Sequence, residues 1–144
     1  MSSEPSGWAI VRRPVNLIAE AGPVSRTGSL LGRPVEVAFT PVGYEWLAST
    51  GERLVADSAG RSWRELGSPE LSSTETSLRF ERAGRSTVTL TVHYAAEYRF
   101  AGSAWRGIPG TLAIEAGSQQ FLVGSFDTVL TDGDCRANPS GPGC

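Results

Sequence analysis

The fold is decided by the stretch Thr87-Val88-Thr89-Leu90-Thr91-Val92-His93-Tyr94, in which apolar and polar side chains alternate without a break. A period of two places all four apolar side chains on one face of a strand, whereas no α-helix gathers them on one stripe. The β-branched residues favour the extended backbone further. This segment therefore predicts a β-strand with its aliphatic side turned into the protein.

Shorter strand patterns lie on both sides of this segment. Val35–Thr40 alternates in the same way, and Tyr44–Ala48 follows after the punctuation Pro41-Val42-Gly43. A hairpin with a glycine-containing loop is predicted over 97–106, and Gly107-Ile108-Pro109-Gly110 is predicted to turn the chain into two more short strands. About seven to nine strands with little helix predict an all-β fold, an antiparallel β-sandwich or a barrel.

One domain is enough for 144 residues. We expect a flexible N-terminal leader over 1–13, in which 8–11 is a candidate edge strand, then a single β domain over 14–130 and a C-terminal tail over 131–144. The polar stretch 49–77 contains Trp63-Arg64-Glu65-Leu66, which is long enough for one helical turn.

The charge distribution excludes several classes of partner. The net charge is −2 and every basic side chain is an arginine, so the sequence offers no clustered positive charge of the kind that duplex binding requires. The phosphate-binding pattern that ends in Gly-Lys is missing, because the chain has no lysine. No run approaches the roughly 20 apolar residues that cross a bilayer. We expect no nucleic acid partner and no membrane span.

Two cysteines, Cys135 and Cys144, lie near the end of the chain. A bond between them would close a loop of ten residues. By lowering the conformational entropy of the open chain, it would stabilise an ordered tail by about 2.5–3 kcal/mol. Two free thiols and a link to another chain are the alternatives. The disulfide indicates an extracellular or cell-surface protein, whereas the start Met1–Gly7 lacks a secretory signal and, taken literally, favours the cytosol. A mature fragment with a new initiator methionine would begin in the same way.

Catalytic and metal-binding patterns are not found. His93 is the single histidine and lies within the predicted strand. The chain has no Gly-x-Ser-x-Gly motif, which would supply the nucleophilic serine for which a histidine could act as the base. The fifteen carboxylates mostly lie in predicted turns or on the outward side of predicted strands, which is typical of a solvated surface. Asp127, Asp132 and Asp134 lack the spacing of a calcium loop. We expect no enzyme activity, no catalytic residue, no metal and no cofactor.

The aromatic residues divide into core and surface candidates. Trp46 is predicted to pack between the sheets. A candidate contact surface for a protein or a glycan is composed of Trp63, Tyr98, Trp105 and Arg106, since exposed Trp, Tyr and Arg are typical of contact surfaces. The alternative is that each aromatic ring only covers a sheet edge.

The segment 78–92 resembles the signature of PKD domains, which are immunoglobulin-like β-sandwiches found mostly in extracellular proteins. Tyr44-Glu45-Trp46 is similar to the strand that precedes the family's Gly-Asp-Gly turn, although 47–52 lacks that turn, and Leu78 and Ser86 replace the family's His and Tyr. The residues that match are Trp46, Phe80, Gly84, Val88, Leu90 and Val92.

Two further stretches, 33–41 and 105–110, and the cysteine-containing tail resemble an actinobacterial subgroup of secreted PKD-type proteins. The resemblance covers about residues 33–144 and implies an immunoglobulin-like sandwich. It also implies a secreted, non-catalytic module for adhesion, spacing or protein contacts. The alternatives are a self-assembling subunit of a surface layer or filament, whose edge strands pair with a neighbour, and an enzyme of unrecognised class.

Overall fold

A computed structural model describes residues 1–125 of the chain, and in this part the protein is all-β, with one short helix. The prediction of an all-β sandwich is confirmed. The elements in chain order are β1 (Ser2–Glu4), β2 (Trp8–Ile10), β3 (Val15–Ile18), β4 (Val24–Leu30), β5 (Arg33–Ala48), β6 (Arg53–Ala56), α1 (Trp63–Leu66), β7 (Ser77–Leu78), β8 (Gly84–Phe100) and β9 (Arg106–Gly124).

The strands form two sheets of unequal size. The small sheet has the order β1-β3-β7, and the large sheet has the order β2-β9-β8-β5-β4, with β6 also paired to β5. All pairs are antiparallel except β2 and β9, which run parallel. Among the described strands, this parallel pair is the one exception to the predicted antiparallel pairing.

The large sheet is built on three long strands, β5, β8 and β9, where the sequence predicted seven short ones. Pro41-Val42-Gly43 does not end a strand, because β5 pairs with β8 on both sides of it and only the register shifts by one residue. The predicted turn at 107–110 also lies inside β9, where the register against β8 shifts between Tyr94 and Ala96. Continuous pairing with the regular strand β8 outweighs the local breaking tendency of proline and glycine.

The core lies between the small sheet and one half of the large sheet. Val88, Leu90 and Val92 are fully buried, as the alternation along β8 predicts. Trp46 is also fully buried and stacks on Tyr44, with ring centroids 6.0 Å apart. The other side of the core is supplied by the buried residues Val15, Leu17, Leu78 and Phe80. The rings of Phe80 and Phe121 pack together, with their centroids 5.4 Å apart.

The N-terminal segment is part of the sandwich, so the prediction of a flexible leader over 1–13 is wrong. Strand β1 pairs with β3, and β2 pairs with the end of β9. The carboxylate of Glu4 accepts hydrogen bonds of 2.8 Å from Asn16 Nδ2 and from the backbone N–H of Trp63. Because Asn16 is fully buried, these bonds satisfy a polar group that would otherwise be costly to enclose.

Helix α1 holds a tryptophan that we expected at the surface. Ser62 and Glu65 form a reciprocal capping box at its start. Trp63 is 6% exposed and donates its indole N–H to the carbonyl of Ser72 at 3.1 Å. The prediction that Trp63 belongs to an exposed contact surface is therefore wrong, because the loop folds back over the small sheet and encloses the ring.

Leu90→Ala tests the role of β8 in the core. We expect a loss of about 2–5 kcal/mol in the free energy of unfolding, because the side chain is fully buried between two sheets and leaves a cavity. The measurement is chemical denaturation followed by tryptophan fluorescence. Leu122→Ala is the matched control, since Leu122 is 61% exposed and its truncation should cost no more than about 0.5 kcal/mol. Equal losses would contradict the assignment of the core.

Candidate binding surface

Beyond the small sheet, the large sheet continues as a single layer that we call the arm. The arm consists of residues 24–41 and 93–114, in the strand order β9-β8-β5-β4. The seven paired residues of β4 give it a length of roughly 23 Å. No side chain of the arm is fully buried, whereas the same strands are fully buried at alternate positions in the sandwich. The arm therefore has two faces that the described residues leave open.

The two faces of the arm follow from the unbroken alternation along β8. The even-numbered residues of β8 point toward the core at Leu90 and Val92 and keep to the same side beyond it. We call this side the apolar face. In cross-strand rows it carries Leu112, Tyr94 and Pro41, then Ile108, Ala96, Phe39 and Val24, then Arg106, Tyr98, Val37 and Arg26, and finally Phe100, Val35 and Gly28.

The apolar face is unusually open for aliphatic side chains. Ile108, Leu112 and Ile114 are 43%, 48% and 44% exposed, although they follow directly on the buried core face of the same sheet. A shallow depression of about 280 Å³ lies among Leu112, Ile114 and four neighbours on β4, β5 and β8. Monomeric proteins seldom leave a contiguous apolar surface of this kind uncovered, and such surfaces mark contact sites.

The charges on the two faces differ in sign. The apolar face carries three cations and, among the described residues of the arm, no carboxylate; the cations are Arg26, Arg33 and Arg106. The opposite face, which we call the polar face, carries Glu36 and Glu97. Arg99 donates to Glu36 at 2.8 Å in an ion pair on that face. The arm therefore offers apolar side chains and positive charge on one side and mixed charge on the other.

The structure separates the residues of the predicted contact surface. Tyr98 and Arg106 lie opposite each other on the apolar face. Trp105, which is 37% exposed, lies on the polar face with the guanidinium of Arg99 at 4.6 Å from its ring centroid. Together with the burial of Trp63, this means that the four predicted residues do not form one surface.

The tip of the arm is formed by two hairpin turns at the same end. The turn between β4 and β5 has two residues, Leu31 and Gly32, with φ of 52° and 72°. Positive φ at both positions defines the turn type that favours Asn-Gly, and a leucine there is strained. Leu31 is also 93% exposed, so no packing within the described chain compensates for the strain.

The two edges of the arm differ in how well they are protected. On β9 the edge is interrupted by Pro109, by Gly110 with φ of 86° and by the register shift against β8. On β4 the pairing with β5 is unbroken over seven residues, and no described strand pairs with its outer side. Proline, bulges and charges are the usual means of blocking an edge. Strand β4, with a single charge at Arg26, is the open edge.

Chemically reactive arrangements are not found in the part of the chain that the structure describes. Over residues 1–125, no three His, Cys, Asp or Glu side chains lie close enough together to hold a metal ion. A hydrogen bond from Arg53 lowers the pKa of Glu45, and burial, with the nearby Tyr94, raises the pKa of Tyr44. Both shifts stabilise the ordinary form of the group, a carboxylate and a neutral phenol. His93 lies on the polar face next to Gly43.

Sequence reasoning missed the apolar face as a site. The alternation of Val35, Val37 and Phe39 predicts a half-buried strand, but a period of two cannot tell a covered face from an uncovered one. The cysteine pair at Cys135 and Cys144 and the aspartates from Asp127 onward lie outside the described residues. No described helix is long and apolar enough to cross a membrane.

Comparison of the chain with family models, curated proteins and solved structures found no match. The resemblance to PKD domains therefore rests on the sequence motifs, and it stays a prediction.

Leu31→Asn tests whether the turn at the tip is strained. Asparagine adopts positive φ more readily than leucine, so we expect the free energy of unfolding to rise by about 0.5–1 kcal/mol. Chemical denaturation of both proteins measures the difference. Leu30→Asn, one residue earlier on a strand position, is the control and should bring no gain. A loss of stability in Leu31→Asn would show that Leu31 makes a contact within the chain.

Proposed function

We propose that the protein is a non-catalytic binding module that contacts another protein through the apolar face of the arm. The observation that carries this proposal is the continuation of a buried sheet face into an open one. Leu112 and Ile114 are about half exposed on the same strand that buries Phe121 and Val123 in the core. Covering such a surface removes apolar area from water at about 25 cal/mol per Å², which is a general driving force for association.

The composition of the apolar face favours a protein over a glycan as its partner. Its centre is formed by aliphatic side chains and by half-buried aromatic rings, whereas sugar binding by stacking needs a freely exposed ring. Three arginines without a carboxylate select a partner segment that combines apolar side chains with negative charge. A second copy of the same face does not supply that charge, because it would bring six arginines together.

The resemblance to PKD domains supports the same proposal and also indicates where the protein acts. Domains of that kind act as extracellular spacers and adhesion modules, and we propose an extracellular or cell-surface location for this chain as well. The arm would then present its apolar face beyond the end of the small sheet, and the sandwich would serve as its support.

Photo-crosslinking from the arm tests the protein contact. Benzoylphenylalanine at Leu112, on the apolar face, should form a covalent adduct with a second protein in the producing cells, because this side chain lies within the proposed interface. Ala113 is the matched control: it is the next residue of the same strand and lies on the polar face opposite His93. The adducts are measured by mass spectrometry, and the crosslinked peptide should contain both apolar and acidic residues.

Equal crosslinking at the two positions would contradict the proposal, because contact would then not depend on the apolar face. A crosslink from Leu112 to a second copy of this protein would show that the partner is another copy and not a different protein.

A self-assembling structural subunit is the second candidate function, and the open edge of β4 favours it. In an antiparallel pair of two β4 strands with Thr27 at the two-fold axis, all seven residues of each strand find a partner. Arg26 then lies opposite Gly28 of the other copy, so that no like charges meet directly.

Sedimentation velocity over a range of protein concentrations tests the pairing of β4 strands. If the edge is used, wild type should form dimers at high concentration, and Thr27→Lys should remain monomeric because two ammonium groups would meet at the axis. Thr111→Lys, on the blocked edge of β9, is the control and should still dimerise. A monomeric wild type at tens of micromolar would exclude self-assembly through this edge.

A further inference from the structure

We propose that the tip of the arm binds an anionic lipid surface, with Leu31 inserted among the acyl chains. The tip consists of the turn at Leu31 and Gly32 and the turn over 101–105, which lie side by side because the two hairpins pair through β5 and β8. This proposal goes beyond the protein contact at the apolar face and is independent of it.

The strain at Leu31 is the first observation behind this proposal. A leucine at positive φ is unfavourable, and 93% exposure means that the described chain offers it no packing in return. Residues that oppose both the local backbone preference and the usual burial of apolar groups are found where function requires them. An apolar environment outside the chain would account for a leucine at this position.

The composition around Leu31 is the second observation. Leu30 is half exposed directly beside it, and Trp105 contributes a partly exposed ring at the neighbouring turn. Arg33 and Arg106 are exposed and follow the two turns, and neither 29–34 nor 100–106 contains a carboxylate. Leucine at the apex with tryptophan and arginine behind it matches the depth profile of a membrane interface, where apolar groups insert and cations meet anionic headgroups.

The shape of the tip favours a lipid surface over a protein. Protein interfaces are centred on well-packed pockets and flat patches, which describes the apolar face. The tip consists of two neighbouring turns at the end of the sheet, and a bilayer accepts such an end without a preformed pocket. Shallow insertion also leaves the apolar face free, so that a partner protein and a membrane can be bound together.

Vesicle co-sedimentation tests the proposal directly. Full-length protein is mixed with sucrose-loaded vesicles of phosphatidylcholine alone, or of equal parts phosphatidylcholine and phosphatidylglycerol. We expect binding to the second kind only, and weaker binding at high salt because the arginine contacts are screened. Leu31→Asn should weaken binding about tenfold or more, which corresponds to the loss of one inserted leucine. The combined change Arg33→Gln and Arg106→Gln should remove the preference for anionic vesicles.

Two controls separate the tip from the remaining surface. Val55→Asn changes an apolar residue that is 58% exposed on the sandwich, and Leu112→Asn changes the apolar face; both should bind vesicles like wild type. The Leu31→Asn variant is informative because asparagine suits the turn, so lost binding would not come from misfolding. Absence of wild-type binding, unchanged binding of Leu31→Asn, or an equal loss in Leu112→Asn would each overturn the proposal. The proposed protein contact at the apolar face is tested separately, by the crosslink from Leu112.

Discussion

The burial of the even-numbered side chains of β8 against the small sheet is the constraint on which the rest of the structure depends. Val88, Leu90 and Val92 are fully buried, and β5 and β9 pair with β8 on its two sides. Because β8 contains no bulge of its own, its alternation continues unchanged from the sandwich into the arm. The face that is buried at one end of the strand is therefore the face that is open at the other end.

The bulges on the neighbouring strands show how this constraint is met. Strand β5 takes up one extra residue near Val42, and β9 takes up extra residues near Gly117 and Pro109. Each bulge absorbs a local mismatch without reversing the faces of β8, so the apolar rows stay in line over the full length of the sheet. The same irregularities on β9 block that edge of the arm and leave β4 as the open edge.

The functional proposals follow from the difference between the sandwich and the arm. In the sandwich, the small sheet covers the apolar side of the large sheet. Glu4 of β1 joins β3 and α1 to each other through Asn16 and the backbone N–H of Trp63. In the arm, nothing in the described chain covers this side. The apolar face with its three cations and the strained leucine at its end are the observations on which the functional proposals rest.

The sequence by itself determined the central part of β8 and its inward side, because a period of two is a local property that an extended segment displays. It also determined the single helical turn, the glycine-containing hairpin and the core position of Trp46. Only the tertiary structure decided which apolar faces are covered, where the N-terminal residues pair and where Trp63 lies, because each depends on contacts between residues far apart in the chain. Breaks at proline and glycine were misread for the same reason: whether such residues end a strand or only bulge it depends on the neighbour with which the strand is paired.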